Sequence, residues 1–469
     1  MKLEDMKKPE NDTDGSASFP FVNIKPGGND TALFIGIPDS TDQRKELNSV
    51  IQHIYSNIEQ VGFVNLDPAH AELMMAGGEF CGNATRSTAW KVLDGQPGTI
   101  EIKVSSVANP LRAGVTAEGE AFAQMPIYSD PQNITEDPDK KGNYTVQMEG
   151  ITHYLDFNIE QLDGLSPEDI KQKSFEALKT RGLTEGPAAG IIYVKKTAEG
   201  YEITPVVYVR DIDTLFLETA CGSGTTALGL ALALQSGQSV SEAPVRQPSG
   251  LDIKISVDYD GEKFGYAQIQ GPVTELNRGT LEVGKNQTYV VEEVTNAEQL
   301  AAALQQEGLP ELYKDVFGKP PYNESFTDDE IAEIFEQYLQ HGKLFLAKDT
   351  GRVIGFGASV PLVQEPVIEE ILHDKLDTSV TWYMADLGVN EEYRKNGIGK
   401  MLVQKRIDAA PDGSILVMRT SINNLASQSI YKSLGFVQVS DAYQFVEQAR
   451  QDGSTATDKR LFLARAKNK

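Results

Sequence analysis

Apolar and polar positions along this chain change period repeatedly, and one order of changes occurs twice before a different order replaces it. FVNIKPGGNDTALFIGI reads as strand, turn and strand, and RKELNSVIQHIYSNI carries apolar residues at helical spacing. The short run VGFVNL follows, then a helix predicted over about 83–93, then strands around TIEIKVSS and AFAQMPI. From about Tyr144 the same order returns. YTVQMEG and HYLDFNI are strand-like, SPEDIKQKSFEALKTRG opens with the Ser-Pro of a helix start, and IIYVKKT and ITPVVYVRDI are strands. A second helix follows Cys221, and LDIKISVDYD with KFGYAQIQGPVTELNRG reads as a hairpin. No residue-level repeat accompanies the pattern. The duplication rests on element order and motif placement.

After Gly284 the pattern changes. QTYVVEEVT is a strand, AEQLAAALQQ and DDEIAEIFEQYLQHG are helices, and KLFLAKDTGRVIGFGASV is a hairpin around Asp-Thr-Gly. TWYMADLGV, EEYRKNGIGKMLVQKRI, SILVMRTS, LASQSIYKSLGF and FLARA then alternate strand and helix. We therefore expect a leader over 1–18, one lobe over 19–147, a second over 148–285 and a separate domain over 286–469, with the boundary at Asn286. The first two lobes form an α+β unit of two similar halves, and the last domain is α/β.

Charge narrows the partners. A net charge of −25 repels nucleic acid and anionic membranes, so neither is expected as a partner. No apolar run approaches the roughly 20 residues that span a bilayer. MKLEDMKKPENDTDGSAS has no apolar core, so we expect a disordered leader rather than a signal peptide, and a cytoplasmic protein.

Chemistry concentrates at the two cysteines, Cys81 in GGEFCGNATRSTAW and Cys221 in LETACGSGTTALGLALAL. Each precedes a glycine and opens a helix. The first turn of a helix leaves N–H groups unpaired at the positive end of the dipole, which lowers the pKa of a nearby thiol and holds a carboxylate. Glycine lets a ligand approach the backbone closely. Two such sites facing each other would present thiols to opposite faces of one α-amino acid, the arrangement needed to invert a stereocentre. One cysteine as thiolate removes the proton, the other returns one, and the roles swap with direction.

Three segments, GGNDTALF, EFCGNATR and TACGSGTTA, make residues 19–284 resemble the cofactor-independent racemases and epimerases of the diaminopimelate epimerase fold. The resemblance implies a two-lobed, pseudo-symmetric fold, catalytic Cys81 and Cys221, and substrate-holding Asn29, Gly82, Asn83, Gly222 and Ser223. It also implies no pyridoxal phosphate, no metal and no other cofactor in this module. Two departures bear on substrate. Ile212, Asp213 and Thr214 stand where diaminopimelate epimerases carry Glu-Arg-Gly, and Gly150–His153 reads GITH instead of Gly-Asn-Pro-His. The α-carbon machinery is kept and the far-end machinery is not. The flavour of the cysteine motifs is similar to histidine racemases of nicotianamine-like metallophore pathways. Glu79 and Glu218, just upstream of the cysteines, read equally as holders of a cationic amino or imidazole group and as structural residues.

RKNGIG (394–399) between a strand and a helix offers consecutive N–H groups to a pyrophosphate, and NLASQSIYKSLGF (424–436) supplies an Asn, Tyr, Gly-Phe spacing. These resemble the GNAT acyl-CoA N-acetyltransferases. The resemblance implies acetyl-CoA held by Arg394, Lys395, Asn396, Gly397, Gly399, Lys400 and Asn424, with Tyr431 protonating the leaving thiolate; Tyr431 as a plain core aromatic is the competing reading. No acceptor base is identifiable: Glu365, Glu369, Glu370 and His373 read as surface. His53, His70 and His341 are isolated and read as structural or surface residues. The expected protein is a bifunctional enzyme, an amino-acid racemase acting on histidine fused to an N-acetyltransferase. The alternatives are another amino acid, diaminopimelate included, or one inactive module serving as a scaffold. Its partners would be an amino acid and acetyl-CoA, with a homodimer left open.

Overall fold

A computed structural model describes residues 10–11, 17–283, 288–320, 322–449 and 455–467. Most of the expected leader and the expected boundary at Asn286 lie outside the described residues. The chain divides into two compact units, one over 19–276 and the other gathering 10–18 with 277–469. Among the described residues no helix is long and apolar enough to cross a membrane.

In the first unit the duplication extends to strand pairing. The first half runs β1 (Ala17–Lys25), β2 (Thr31–Ile35), α1 (Thr41–Ile54), β3 (Gln60–Asn65), β4 (Glu72–Met75), α2 (Gly82–Val92), β5 (Gly98–Val104), β6 (Leu111–Val115) and β7 (Ala121–Gln124). Its pairs are antiparallel β1–β2, parallel β2–β3, antiparallel β3–β4, parallel β4–β5, then antiparallel β5–β6 and β6–β7. The second half runs β8 (Tyr144–Met148), β9 (Ile151–Asp156), α3 (Pro167–Thr180), β10 (Ala188–Lys196), β11 (Tyr201–Val209), the added β12 (Thr214–Leu217), α4 (Gly222–Ser236), β13 (Val240–Arg246), β14 (Asp252–Tyr259) and β15 (Phe264–Gly271). It repeats the sequence of pairs: antiparallel β8–β9, parallel β9–β10, antiparallel β10–β11, parallel β11–β13, antiparallel β13–β14 and β14–β15. The halves join where equivalent strands β7 and β15 pair antiparallel, Gln124 opposite Gln268. That is the pairing expected of two copies related by a two-fold axis.

Local sequence explains the helices. Ser166 and Asp169 form a capping box with Pro167 in the first turn of α3. α4 is apolar on nearly every side, and residues 222–231 are all buried. A helix of that kind needs a complete apolar jacket, which the strands of its half provide. α2 occupies the same place in the first half, with every residue from Gly82 to Ala89 buried.

The second unit contains β16 (Thr288–Val294), α5 (Ala297–Gln305), α6 (Leu309–Phe317), α7 (Asp328–His341), β17 (Lys343–Asp349), β18 (Arg352–Pro361), α8 (Pro366–Leu372), β19 (Thr381–Met384), β20 (Leu387–Val389), α9 (Ile398–Ala409), β21 (Ile415–Ser421), α10 (Leu425–Ser433), β22 (Val437–Ala449) and β23 (Thr455–Ala466). The Asp-Thr-Gly hairpin joins β17 and β18, with Thr350 at φ 46° and Gly351 at φ 72°. α6 was not foreseen, although Leu309, Leu312, Tyr313 and Phe317 sit at helical spacing and are buried. β19 and β21 run parallel up to the pair Met384–Met418, while β20 continues on β18 alone. The two strands therefore part beyond Met384, opening a cavity in the middle of the sheet.

Candidate active site

The two cysteines occupy equivalent positions in the repeat. Cys81 caps α2 at φ −135°, ψ 111°, and Cys221 caps α4 at φ −131°, ψ 105°. Each Sγ accepts the N–H three residues on, from Ala84 at 3.4 Å and Gly224 at 3.3 Å. Each cysteine carbonyl accepts a threonine hydroxyl at 2.7 Å, from Thr85 and Thr225. Both thiols are free and line one pocket with Asn29, Asn83, Gly82, Gly222 and Ser223. The helix starts abut: Asn29 and Asn83 each donate to the Ala220 carbonyl at 3.1 Å.

Gly82 and Gly222 also permit close packing within the protein. A Cβ on Gly82 would lie 2.8 Å from Met125 Cε, and one on Gly222 would lie 2.6 Å from Ile269 Cδ1 and 3.2 Å from Asn83 Oδ1. One expectation is corrected here, the thiol pKa. Loss of water around Cys81 pushes its thiol up to about 12, the Ala84 N–H opposing and the Glu218 and Glu79 charges adding to the rise. Burial also drives Cys221 well above its ordinary value, with the Glu218 charge next. Desolvation outweighs the helix field, so both sulfurs rest as thiols.

The acids around them explain where a proton can go. Burial raises Glu218 to about 8, with Cys221 and Gln60 hydrogen bonds pulling it back and the Glu59 and Glu79 charges pushing it up. Gln60 Nε2 donates to Glu218 Oε1 at 3.0 Å. Burial also lifts Glu79 to about 7, and its Oε2 is buried with no hydrogen-bond partner. The pocket lining contains no lysine or arginine among the described residues. Carboxyls surrounding a pocket with no cation suit a ligand that brings positive charge.

Several positioning residues were missed from sequence. Arg86, in CGNATR, is fully buried and donates to Asn83 Oδ1 at 3.2 Å, the Pro26 carbonyl at 2.6 Å and the Pro272 carbonyl at 3.1 Å. It fixes Asn83, and its charge favours a thiolate at Cys81. His153, in GITH, is fully buried, and burial holds it at about 3, so it is neutral. Its Nε2 lies 2.8 Å from Ser223 Oγ, which lies 3.5 Å from Cys221 Sγ. Nothing in the spacing of these residues announces contacts made across 70 positions. His53, His70 and His341 are exposed.

The second unit holds a cavity of about 960 Å³. At one end stand Arg394, Lys395, Gly397, Gly399 and Lys400. Gly397 caps α9 at φ 82° with no side-chain hydrogen bond, and a Cβ there would meet nothing within 4 Å. An uncapped helix start with open space before it fits a phosphate. Asn396 does not line the cavity; its Nδ2 donates to the Tyr393 carbonyl at 3.4 Å. Asn424 caps α10 through Ser427 N at 3.0 Å, while its Nδ2 donates to Tyr322 Oη at 3.1 Å. Tyr431 is buried and lines the cavity, so the core and the cavity readings both describe it. Burial keeps its phenol protonated, and the buried Arg406 donates to its Oη at 2.7 Å.

Residues 18–281 match the family model described as histidine racemase CntK N-terminal domain, and residues 308–436 match the acetyltransferase (GNAT) family. A histidine racemase of Fusobacterium nucleatum subsp. nucleatum is 31% identical over 271 residues, covering 55% of this chain and 95% of that protein. Human N-alpha-acetyltransferase 30 is 43% identical over 58 residues, 12% of this chain and 16% of that protein. A hydroxyproline epimerase structure from Agrobacterium vitis, with bound trans-4-hydroxy-L-proline, aligns with TM-score 0.40 at 13% identity, covering 58% of this chain and 93% of that one.

Proposed function

The chain belongs to the histidine racemase CntK N-terminal domain family, and from that premise we propose that its first unit inverts the α-carbon of histidine without a cofactor, while its GNAT unit acetylates an amine from acetyl-CoA. The observation that carries the first part is the pair of equivalent cysteine caps in a pocket lined by buried carboxyls.

The N–H groups at the starts of α2 and α4 hold the substrate carboxylate, with Asn29 and Asn83 beside them. This placement stabilises charge as it spreads onto the carboxylate oxygens during proton removal. Glu79 and Glu218 receive the ammonium and the imidazole, and the lining offers no lysine or arginine among the described residues for the second carboxylate that diaminopimelate would bring. The substrate's cation beside Glu218 favours its ionised form, the carboxyl proton leaving to solvent; Cys221 then passes its proton to that carboxylate, and the thiolate formed takes the α-proton from one face. Cys81 delivers its proton to the other face, leaving a thiolate favoured by Arg86. Inversion of the opposite enantiomer runs the same steps backwards. The pocket volume is about 20 Å³, near that of one water site, so an amino acid reaches the thiols only when the two halves part.

In the GNAT unit the start of α9 and the Arg394–Lys400 loop hold the pyrophosphate. Acetyl-CoA supplies the acetyl group, and the Tyr431 phenol, with Arg406 behind it, supplies a proton to the departing sulfur. Incubating the chain with L-histidine in deuterated water tests the first part: the D enantiomer should appear carrying deuterium at the α-carbon. A panel of other amino acids run in parallel reassigns the substrate if histidine is inert and another is inverted.

A further inference from the structure

At the other end of the GNAT cavity, two opposite charges stand close without meeting. Arg419, on β21 just past the point where the strands part, lines the cavity, and among the described residues its one side-chain hydrogen bond runs from Nη1 to Gln444 Oε1. No carboxylate oxygen among the described residues lies within 4.0 Å of it. Glu365, at the N-cap of α8, lines the same cavity, and among the described residues its side chain makes no hydrogen bond, to the helix start or elsewhere. Burial raises the pKa of Glu365 and the nearby Arg419 charge opposes that rise, yet the two form no ion pair. The remaining charges facing this end are already engaged. Asp386 Oδ2 accepts the Tyr313 and Tyr338 hydroxyls at 2.8 and 2.9 Å, and Arg460 pairs with Asp458 at 3.0 Å and Glu324 at 3.1 Å. A half-buried guanidinium and a half-buried carboxyl left unpaired in one cavity are costly unless a ligand completes both.

We propose that the acetyl acceptor is a free α-amino acid, its carboxylate held by Arg419 and its amino group by Glu365. The inference rests on the acetyltransferase reading of this unit. The ammonium gives one proton to Glu365. The freed nitrogen then forms its bond to the acetyl carbon as the carbon–sulfur bond breaks. The Tyr431 hydroxyl proton goes to the leaving sulfur, and the amide nitrogen sheds its second proton to solvent, which restores the phenol. A peptide or protein N-terminus has no carboxylate beside its amine, so it leaves Arg419 without a partner. The chemistry of the two modules then meets on one class of molecule, since the first unit handles the same zwitterion.

The test uses the full-length protein, acetyl-CoA, the D and L forms of a set of amino acids, their carboxamides, and a peptide with a free N-terminus and an amidated C-terminus. Calorimetry first measures acetyl-CoA binding, then the binding of each acceptor in the presence of CoA. Thiol release measures turnover. At least one amino acid should be acetylated with kcat/KM about tenfold or more above its carboxamide, the discrimination expected when a half-buried guanidinium is left without its carboxylate. R419Q should bring that ratio near one while acetyl-CoA binding stays unchanged, and R419K should restore part of it. Equal or better use of carboxamides or of the peptide, or no amino acid acetylated at all, overturns the proposal while acetyl-CoA binding stands. A chain that does not bind acetyl-CoA fails the acetyltransferase reading and takes this inference with it.

Discussion

Replacing Glu218 with glutamine tests the electrostatics on which the first site depends. Its carboxyl sits at about 8 in the fold, against an ordinary 4.5, because it is buried beside Glu59 and Glu79. At about 1.4 kcal/mol per unit, that shift makes ionising it cost on the order of 5 kcal/mol. The folded pKa lies above the unfolded one, so the stabilising contribution of the protonated carboxyl is complete below pH 4.5 and is lost as pH rises through about 8. The parent protein should therefore lose stability between pH 5 and pH 9. Glutamine cannot ionise and still offers an amide oxygen to Gln60. E218Q should match the parent near pH 5 and exceed it at pH 9 by about 2–5 kcal/mol. Some slope will remain, since Glu59 and Glu79 are both raised to about 7. Thermal unfolding of both proteins at pH 5, 7 and 9 under reducing conditions reads the difference. The same offset at every pH would refute a buried, titrating Glu218. The variant should also invert its substrate at least about a hundredfold more slowly, because Cys221 loses the base that takes its proton.

Changing either Cys81 or Cys221 to alanine should abolish inversion, measured by chiral chromatography, since each face of the α-carbon needs its own group; normal racemisation by C81A would end the two-base mechanism. Gly222→Ala should destabilise the first unit by about 1–3 kcal/mol through overpacking against Ile269, and I269V should recover part of the loss in the double variant, as unfolding midpoints would reveal. Tyr431→Phe should lower acetyl-transfer kcat by about ten- to a hundredfold with acetyl-CoA affinity unchanged; an unaffected kcat would reduce Tyr431 to a core aromatic. Gly397→Val forces a β-branched residue to φ 82°, and it should weaken acetyl-CoA binding by calorimetry while leaving racemisation intact.

Much of this protein is written in its sequence, because the signals involved are local. A helix start depends on a few consecutive residues, so Cys81 and Cys221 could be placed at helix N-termini, and Ser166-Pro167 marked the beginning of α3. Strand order follows from periodicity, which is why the doubled arrangement was visible without any repeated residues. The loop at Arg394–Gly399 announced itself by its glycines, and Gly397 does cap α9. α6 had a readable pattern of its own, but its apolar positions fall in a segment with no strong cap, since Gly308 makes no side-chain bond.

What the tertiary structure decided is the energy of each group. A helix N-terminus by itself lowers a thiol pKa, yet burial raises both cysteines, with Glu218 adding to each and Glu79 to Cys81, and desolvation depends on atoms drawn from the whole unit. Gly82 and Gly222 read as openings for a ligand, and only folding adds their close packing against Met125 and Ile269, residues on or beside the strands that join the halves. Arg86, His153 and Arg406 carry ordinary sequence contexts, and only folding removes their water and leaves each with a single set of partners. Local chain chemistry fixes where a side chain begins; its protonation and its partners belong to long-range packing, which no short stretch of residues encodes.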